Sequence, residues 1–462
     1  RNVLKKLMML KSLQKTKQSK YLNSIGLPVA IVFIGGYIYF DYIVFNKFYI
    51  FTNFASDSLT QFYPWLYYYS GNLKKFTFPF WSFEFVLGMN IYTLSINHNP
   101  FDMLLALTGE NNIVYAIPYI NILKNMAAGL FFFAYLKKLR LDDSVAILCS
   151  ILFSFCGYMI VNGHWYHYQN YAIFLAVALY CFERWYQDGR WLALLLIFGF
   201  LNLKGLLQIA QVSIFFCIYI PFRCMLDGQT RLRFVFKHYF FFLLVFTLGI
   251  GISSFYLLPQ VDIILQSSRG GHSVNDLSKL NIFQSLFSFP IYADWRTLFF
   301  RFLSSDILGS FHDFKGVGNY LESPAVYIGL ASFAAIPGIF LIQPAHKKMA
   351  LLFLWVVCFL FFLFPILRLA SNLFASSTYK YGVLYISVIM LILTGFSLDN
   401  FFKNPTIHHR FALLTLVTIL LLLAGVNLMA TNNDIKMVVD RKILMTVNIF
   451  FGIYLILFIC CA

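Results

Sequence analysis

Charge is scarce in this chain: Asp, Glu, Lys and Arg make up 12% of its 462 residues, where a soluble domain carries about 25%. Gly (26) and Pro (13) are unexceptional, so collagen-like and low-complexity disordered states are excluded. Cysteine is limited to 8 residues, with no CxxC pair and no His at ligand spacing, which removes a zinc framework and a secreted disulfide scaffold. All of them (Cys149, Cys156, Cys181, Cys217, Cys224, Cys358, Cys460, Cys461) fall within or beside apolar stretches and read as packing residues. No GxxxxGK[ST], no GxGxxG after a strand and no HExxH occurs, so nucleotide hydrolysis and zinc proteolysis lack a motif. Any energy source must arrive with the substrate.

What is abundant is apolar surface. Hydrophobic residues are 60% of the chain and aromatic ones 20%, including 55 Phe and 29 Tyr, and the mean hydropathy is +0.73. One soluble core could not hide that much, so the sequence predicts an all-α polytopic membrane protein. Apolar runs long enough to cross the hydrocarbon number about twelve, near 25 to 45, 112 to 136, 144 to 161, 171 to 186, 191 to 204, 206 to 222, 238 to 258, 325 to 343, 349 to 367, 381 to 398, 411 to 429 and 443 to 461. Several of these are short enough to be tilted or re-entrant.

The net charge of +16 would raise nucleic acid in a soluble protein. Here seven basic residues crowd the first twenty positions (Arg1, Lys5, Lys6, Lys11, Lys15, Lys17, Lys20), with no aromatic residue before Tyr21. That is the flank of a cytoplasmic N-terminus facing lipid headgroups, and no nucleic-acid partner is expected. The apolar run after it is too long, and lacks the small-residue site, for a cleaved signal peptide. With the N-terminus inside, the inner loops hold about 20 Lys and Arg against about 14 outside, and the alternation closes.

The chain then divides into a basic cytoplasmic segment (1–20), an N-terminal transmembrane module (21–258) whose first outer loop is 46–111, a second large outer segment (259–324) and C-terminal transmembrane helices (325–462). About twelve of the nineteen carboxylates fall outside, whereas the inner loops are short and basic, so function is expected on the outer face.

The first outer loop carries Asp57 close behind the first span, Gln61 and Phe62, Trp81 and Ser82, Gly88, and Asn99-Pro100-Phe101. In this arrangement it resembles the YfhO family of bacterial membrane glycosyltransferases, of the GT-C class. Residues 123–138, the Cys156-Gly157-Tyr158 element with the Asn162 to Trp165 turn, and residues 319–337 are also similar to family elements. His98-Asn99 stands where the family has Leu-Ser, and the Gly-rich turn is reduced to one Gly, which leaves the sugar open. Family members run well beyond this length, and the expectation is that this chain is a piece of a longer protein.

The resemblance implies a GT-C-like fold and an inverting transfer of a hexose or N-acetylhexosamine from undecaprenyl phosphate to an extracytoplasmic acceptor, a cell-wall polymer such as lipoteichoic acid. The implied partners are the donor lipid, that polymer, the bilayer and a separate enzyme that charges the carrier. The implied localisation is the bacterial plasma membrane with the active site extracytoplasmic. No cofactor is required, and a divalent cation is neither demanded nor excluded.

Such a reaction needs a base and a clamp for the departing phosphate. Asp57 is the expected base, with a helix N-cap as its structural alternative. Lys380, in the turn LFASSTYKYG before a span, is the leading phosphate ligand, with snorkelling as the alternative. Arg269, beside two glycines in SSRGGHS, is a second phosphate candidate, or else part of a solvated loop. Glu322, read as lying directly before a span, would orient the acceptor or serve as a helix-start acid. His164 and His167, with their aromatic neighbours, would contact sugar or belong to an interfacial belt, and they lack a third metal ligand. Gln61, Trp81 and Asp102 complete the substrate-binding expectation; Asp102 follows a Pro at a helix start, where an acid is favourable for structure alone. Lys124, inside a span, would reach a phosphate from below or pair with Asp41. Two rival classes remain: a lipid-linked sugar flippase and a non-catalytic polymer-binding scaffold.

Overall fold

The computed structural model describes residues 25–50, 57–77, 79–84, 88–91, 99–164, 168–202, 206–266, 287–373, 377–430 and 439–461. These are almost wholly helical, and the one sheet is a two-residue antiparallel ladder. Seven helices among the described residues are long and apolar enough to cross a membrane: Ile113–Lys138, Asp143–Val161, Leu207–Leu226, Leu232–Ile263, Ala345–Leu363, Gly382–Lys403 and Pro405–Val426. Two shorter apolar helices, Ile25–Ile38 and Leu330–Leu341, fall below that length. The protein is therefore a helical, multi-pass membrane protein.

Every one of the twelve apolar segments read from the sequence is at least partly helical, but they are not twelve equal spans. Within 191–204 the described residues form the 11-residue helix Leu192–Asn202, about 16 Å long at 1.5 Å per residue. Residues 325–343 break into an extended stretch, a single helical turn at Leu330–Ala335 and a 3₁₀ segment at Ile336–Leu341. Hydropathy measures only apolar content, so it cannot separate a span from an apolar segment packed inside the bundle.

The Gly382–Lys403 helix is the centre of the molecule, with 83% of its apolar window buried against 28% for Pro405–Val426. It packs on Asp143–Ser154, Ala345–Leu363 and the Ile336–Leu341 turn. Being buried all round, it carries its small polar groups inward and satisfies them on carbonyls: Thr394 Oγ1 donates to Ser332 (3.2 Å) and Ser397 Oγ to Ala335 (2.6 Å). Around it, Ile113–Lys138 packs on Tyr168–Asp188, and Leu232–Gln266 on Leu192–Asn202.

One close approach ties distant segments together at the end of the bundle where Lys380 lies. Gly157 donates its N–H to the Tyr327 carbonyl at 2.7 Å, and a Cβ there would meet the Ala325 carbonyl oxygen at 2.7 Å. Only glycine lets the Cys156-Gly157 kink lie on the extended 324–329 stretch. Two segments singled out by resemblance are thus in direct backbone contact.

Five cysteines, Cys149, Cys156, Cys181, Cys224 and Cys358, are buried free thiols, in keeping with packing, while Cys217 is free and exposed.

Candidate functional site

Asp57 opens the helical entry into Tyr63–Lys74. Its backbone is helical (φ −56°, ψ −31°), it is followed by a π turn at Ser58–Phe62, and its side chain makes no capping hydrogen bond. The N-cap alternative is therefore not what the structure contains: a cap needs an extended backbone and a free N–H two or three residues on. The carboxylate instead accepts Gln61 Nε2 at Oδ1, 3.0 Å away, one turn along the same face.

Lys380 lies two residues before the central helix begins at Gly382. Its ammonium stands 5.0 Å from the ring centre of Tyr168 and 5.2 Å from that of Tyr381, and the two phenol oxygens are 3.0 Å apart. Burial pushes its pKa down from 10.5 to about 8, and the nearby carboxylates of Glu322 and Asp57 oppose that shift. A cation and two carboxylates from three separate stretches of chain thus share one electrostatic neighbourhood.

Glu322 is not the start of a helix, as the sequence suggested. The next helix begins at Leu330, and Glu322 sits in a turn held by Asn319, whose side-chain oxygen accepts the N–H of Leu321 (3.0 Å) and of Glu322 (2.9 Å). No helix dipole is there to explain the acid. The carbonyl of Glu322 accepts the N–H of Tyr379 (3.3 Å), which fixes it beside Lys380.

Two buried arginines that the sequence analysis did not single out hold this arrangement. Arg301, fully buried, donates to the carbonyls of Tyr320 (3.0 Å), Pro324 (3.3 Å) and Ser305, clamping both sides of Glu322. Arg368 donates to the carbonyls of Phe361 (2.8 Å), Phe362 (3.1 Å) and Ser377 (3.1 Å) and lies 4.4 Å from the ring centre of Tyr379, so it anchors the turn carrying Lys380. An arginine inside an apolar run such as LFPILRLAS was the available signal. A cavity of about 360 Å³ adjoins the turn, lined by Glu322, Asp294, Arg368, Tyr379, Phe289 and Pro290 among others.

The remaining candidates are placed as follows. Asp102 lies in the first turn of Pro100–Leu107, which Asn99 caps by accepting the N–H of Phe101 and of Asp102, both at 3.0 Å. It is buried and forms an ion pair with Lys124 at 3.9 Å. Lys124 therefore does not pair with Asp41, which bonds Lys47 (3.0 Å) from the exposed short helix Phe40–Val44. Trp81 belongs to the short ladder, paired with Asn90, and is 54% exposed. The turn beside it needs Gly88, with φ +113° and only 2.9 Å from a Cβ there to Trp81 Nε1. His164 ends a 3₁₀ turn at Asn162–His164, whereas Arg269 and His167 lie outside the described residues. Among the described residues no three His, Cys, Asp or Glu side chains gather into a possible metal site.

No curated protein and no solved structure matches the chain. The family model described as "Bacterial membrane protein YfhO" matches residues 24–462, nearly the full length, and includes every residue of the cluster. The chain belongs to the YfhO family of bacterial membrane proteins.

Proposed function

We propose that this chain is a GT-C-type glycosyltransferase that moves a hexose or N-acetylhexosamine from undecaprenyl phosphate to a hydroxyl of an extracytoplasmic polymer such as lipoteichoic acid. The observation that carries this reading is that the charges of Glu322 and Asp57 both act on the half-buried Lys380 ammonium just before the central helix. Membership in a family associated with membrane glycosyl transfer supports it. In this account the two shorter apolar helices with Tyr168–Asp188, Leu192–Asn202 and Arg441–Cys461 complete about twelve membrane segments, the N-terminus is cytoplasmic and the cluster faces outward.

The acceptor oxygen attacks the anomeric carbon from the side opposite the phosphate, so configuration inverts. Asp57 takes the hydroxyl proton as the new C–O bond forms. The bond from the anomeric carbon to the phosphate oxygen breaks, its electron pair stays on that oxygen, and the Lys380 ammonium neutralises the developing charge. Glu322 holds the ammonium in place and orients the acceptor, and Gln61 fixes the rotamer of Asp57. Trp81, Asp102, His164 and His167 are the outlying substrate contacts, with Arg269 a second phosphate ligand. The scheme requires no cofactor.

The test is sugar transfer from a synthetic polyprenyl-phosphate hexose by the purified protein in nanodiscs, wild type against Asp57→Asn at equal folded yield. Transfer by the wild type and its loss in the variant support the scheme, and equal transfer by both removes Asp57 from it. A flippase is the second reading, and the buried pair of Asp102 with Lys124 of the Ile113–Lys138 span favours it, because transport paths use such charges.

A further inference from the structure

At the opposite end of the same bundle lies a second cavity, of about 570 Å³. It is bounded by the C-terminal ends of Ile113–Lys138, Leu206–Leu226 and Gly382–Lys403 and by the start of Ala345–Leu363. Lys380 precedes the first turn of the central helix and Lys403 ends its last, so about 33 Å of helix separates this cavity from the candidate site. It therefore opens at the other membrane boundary, at headgroup height.

Five cations line it, Lys138, Arg140, Arg223, Lys347 and Lys403, against two carboxylates, Asp227 and Asp399. Three of the cations are committed to carboxylates: Lys138 to Asp188 (2.6 Å), Arg223 to Glu183 (2.9 Å) and Asp227 (2.7 Å), and Lys403 to Asp399 (2.7 Å). Among the described residues Arg140 and Lys347 make no ion pair.

Both stand where local structure would choose otherwise. Arg140 follows the end of Ile113–Lys138 in the left-handed region, φ +64°, where a side chain is strained and glycine is usual. Two other helices put glycine there, Gly189 (φ +73°) after Tyr168–Asp188 and Gly228 (φ +72°) after Leu206–Leu226. Lys347 lies in the first turn of Ala345–Leu363, which holds no acid, so it opposes the helix dipole. An anion in the cavity would answer both charges.

We propose that this cavity binds the phosphate of an anionic phospholipid headgroup, gripped by Arg140 and Lys347. Its place at a membrane boundary, ringed by helix ends, favours a lipid over a soluble phosphate. The inference does not depend on the transferase reading, since it concerns another face and needs no turnover.

The experiment is the thermal unfolding of the purified protein in neutral detergent on adding phosphatidylglycerol, phosphatidylcholine or inorganic phosphate. Phosphatidylglycerol should raise Tm more than phosphatidylcholine, and Arg140→Gly with Lys347→Gln should remove most of the difference. The glycine relieves backbone strain, so that variant should fold. A control removing the same charge outside the cavity, Arg233→Gln with Lys348→Gln, should keep the difference. Equal loss in both pairs, no preference in the wild type, or the same shift from inorganic phosphate alone would overturn the proposal.

Discussion

The Lys380 ammonium lies 5.0 Å from the ring centre of Tyr168, two residues before the central helix begins at Gly382. The cation lies over an aromatic face, and the charges of Glu322 and Asp57 favour its protonated form while burial works against it. That balance of burial against opposite charge has measurable consequences.

The first concerns pH. With its pKa lowered to about 8, Lys380 is charged below that value and neutral above it. Donor KM should therefore rise about tenfold per pH unit above pH 8, and Lys380→Arg, which stays protonated, should move that limb to higher pH. A donor KM flat between pH 7 and 9.5 would remove Lys380 from phosphate binding.

Stability should show the opposite sign. A lysine whose pKa is lower folded than unfolded destabilises the protein while it stays charged below about 8, and that cost fades as pH climbs toward 10.5. Lys380→Met should unfold at a higher temperature than wild type at pH 7 while losing transfer, and the gain in Tm should shrink by pH 10.

Asp57→Asn should leave Tm unchanged, because Asp57 makes no capping bond and Asn still offers an oxygen to Gln61 Nε2. Transfer should fall by about 10²- to 10⁴-fold, the usual contribution of a positioned base. A large loss of Tm in this variant would mean that its loss of activity reports structure.

The Lys124–Asp102 pair is buried on both sides, with side chains 1% and 7% exposed. Lys124→Met alone should cost about 3–5 kcal/mol, because it strands a buried carboxylate, while the double change Lys124→Met with Asp102→Leu should recover much of that. Denaturant melts of the two single variants and the double variant form the cycle that checks it.

The class of the molecule and the positions of its helices were legible because lipid imposes a coarse signal, long apolar runs with basic flanks. Lys380 was also legible, as a charge at a span boundary. Glu322 was placed wrongly because its turn depends on Asn319 accepting two backbone N–H groups, which mimics a helix start in sequence. Arg301 and Arg368 were missed because their partners are carbonyls, and a carbonyl leaves no mark in the sequence. The pairing of Lys124 with Asp102 instead of Asp41 was decided by packing, since both acids precede it in the chain and sequence separation does not rank them.

The most direct test of the central claim is the fate of the carrier. Proteoliposomes loaded with polyprenyl-phosphate hexose on both leaflets, and supplied outside with the acceptor polymer, would be assayed for free polyprenyl phosphate. The account predicts one sugar-free carrier for each sugar found on the polymer, and no release by Asp57→Asn. Carriers that change leaflet with the sugar still attached, and no free polyprenyl phosphate, would contradict it.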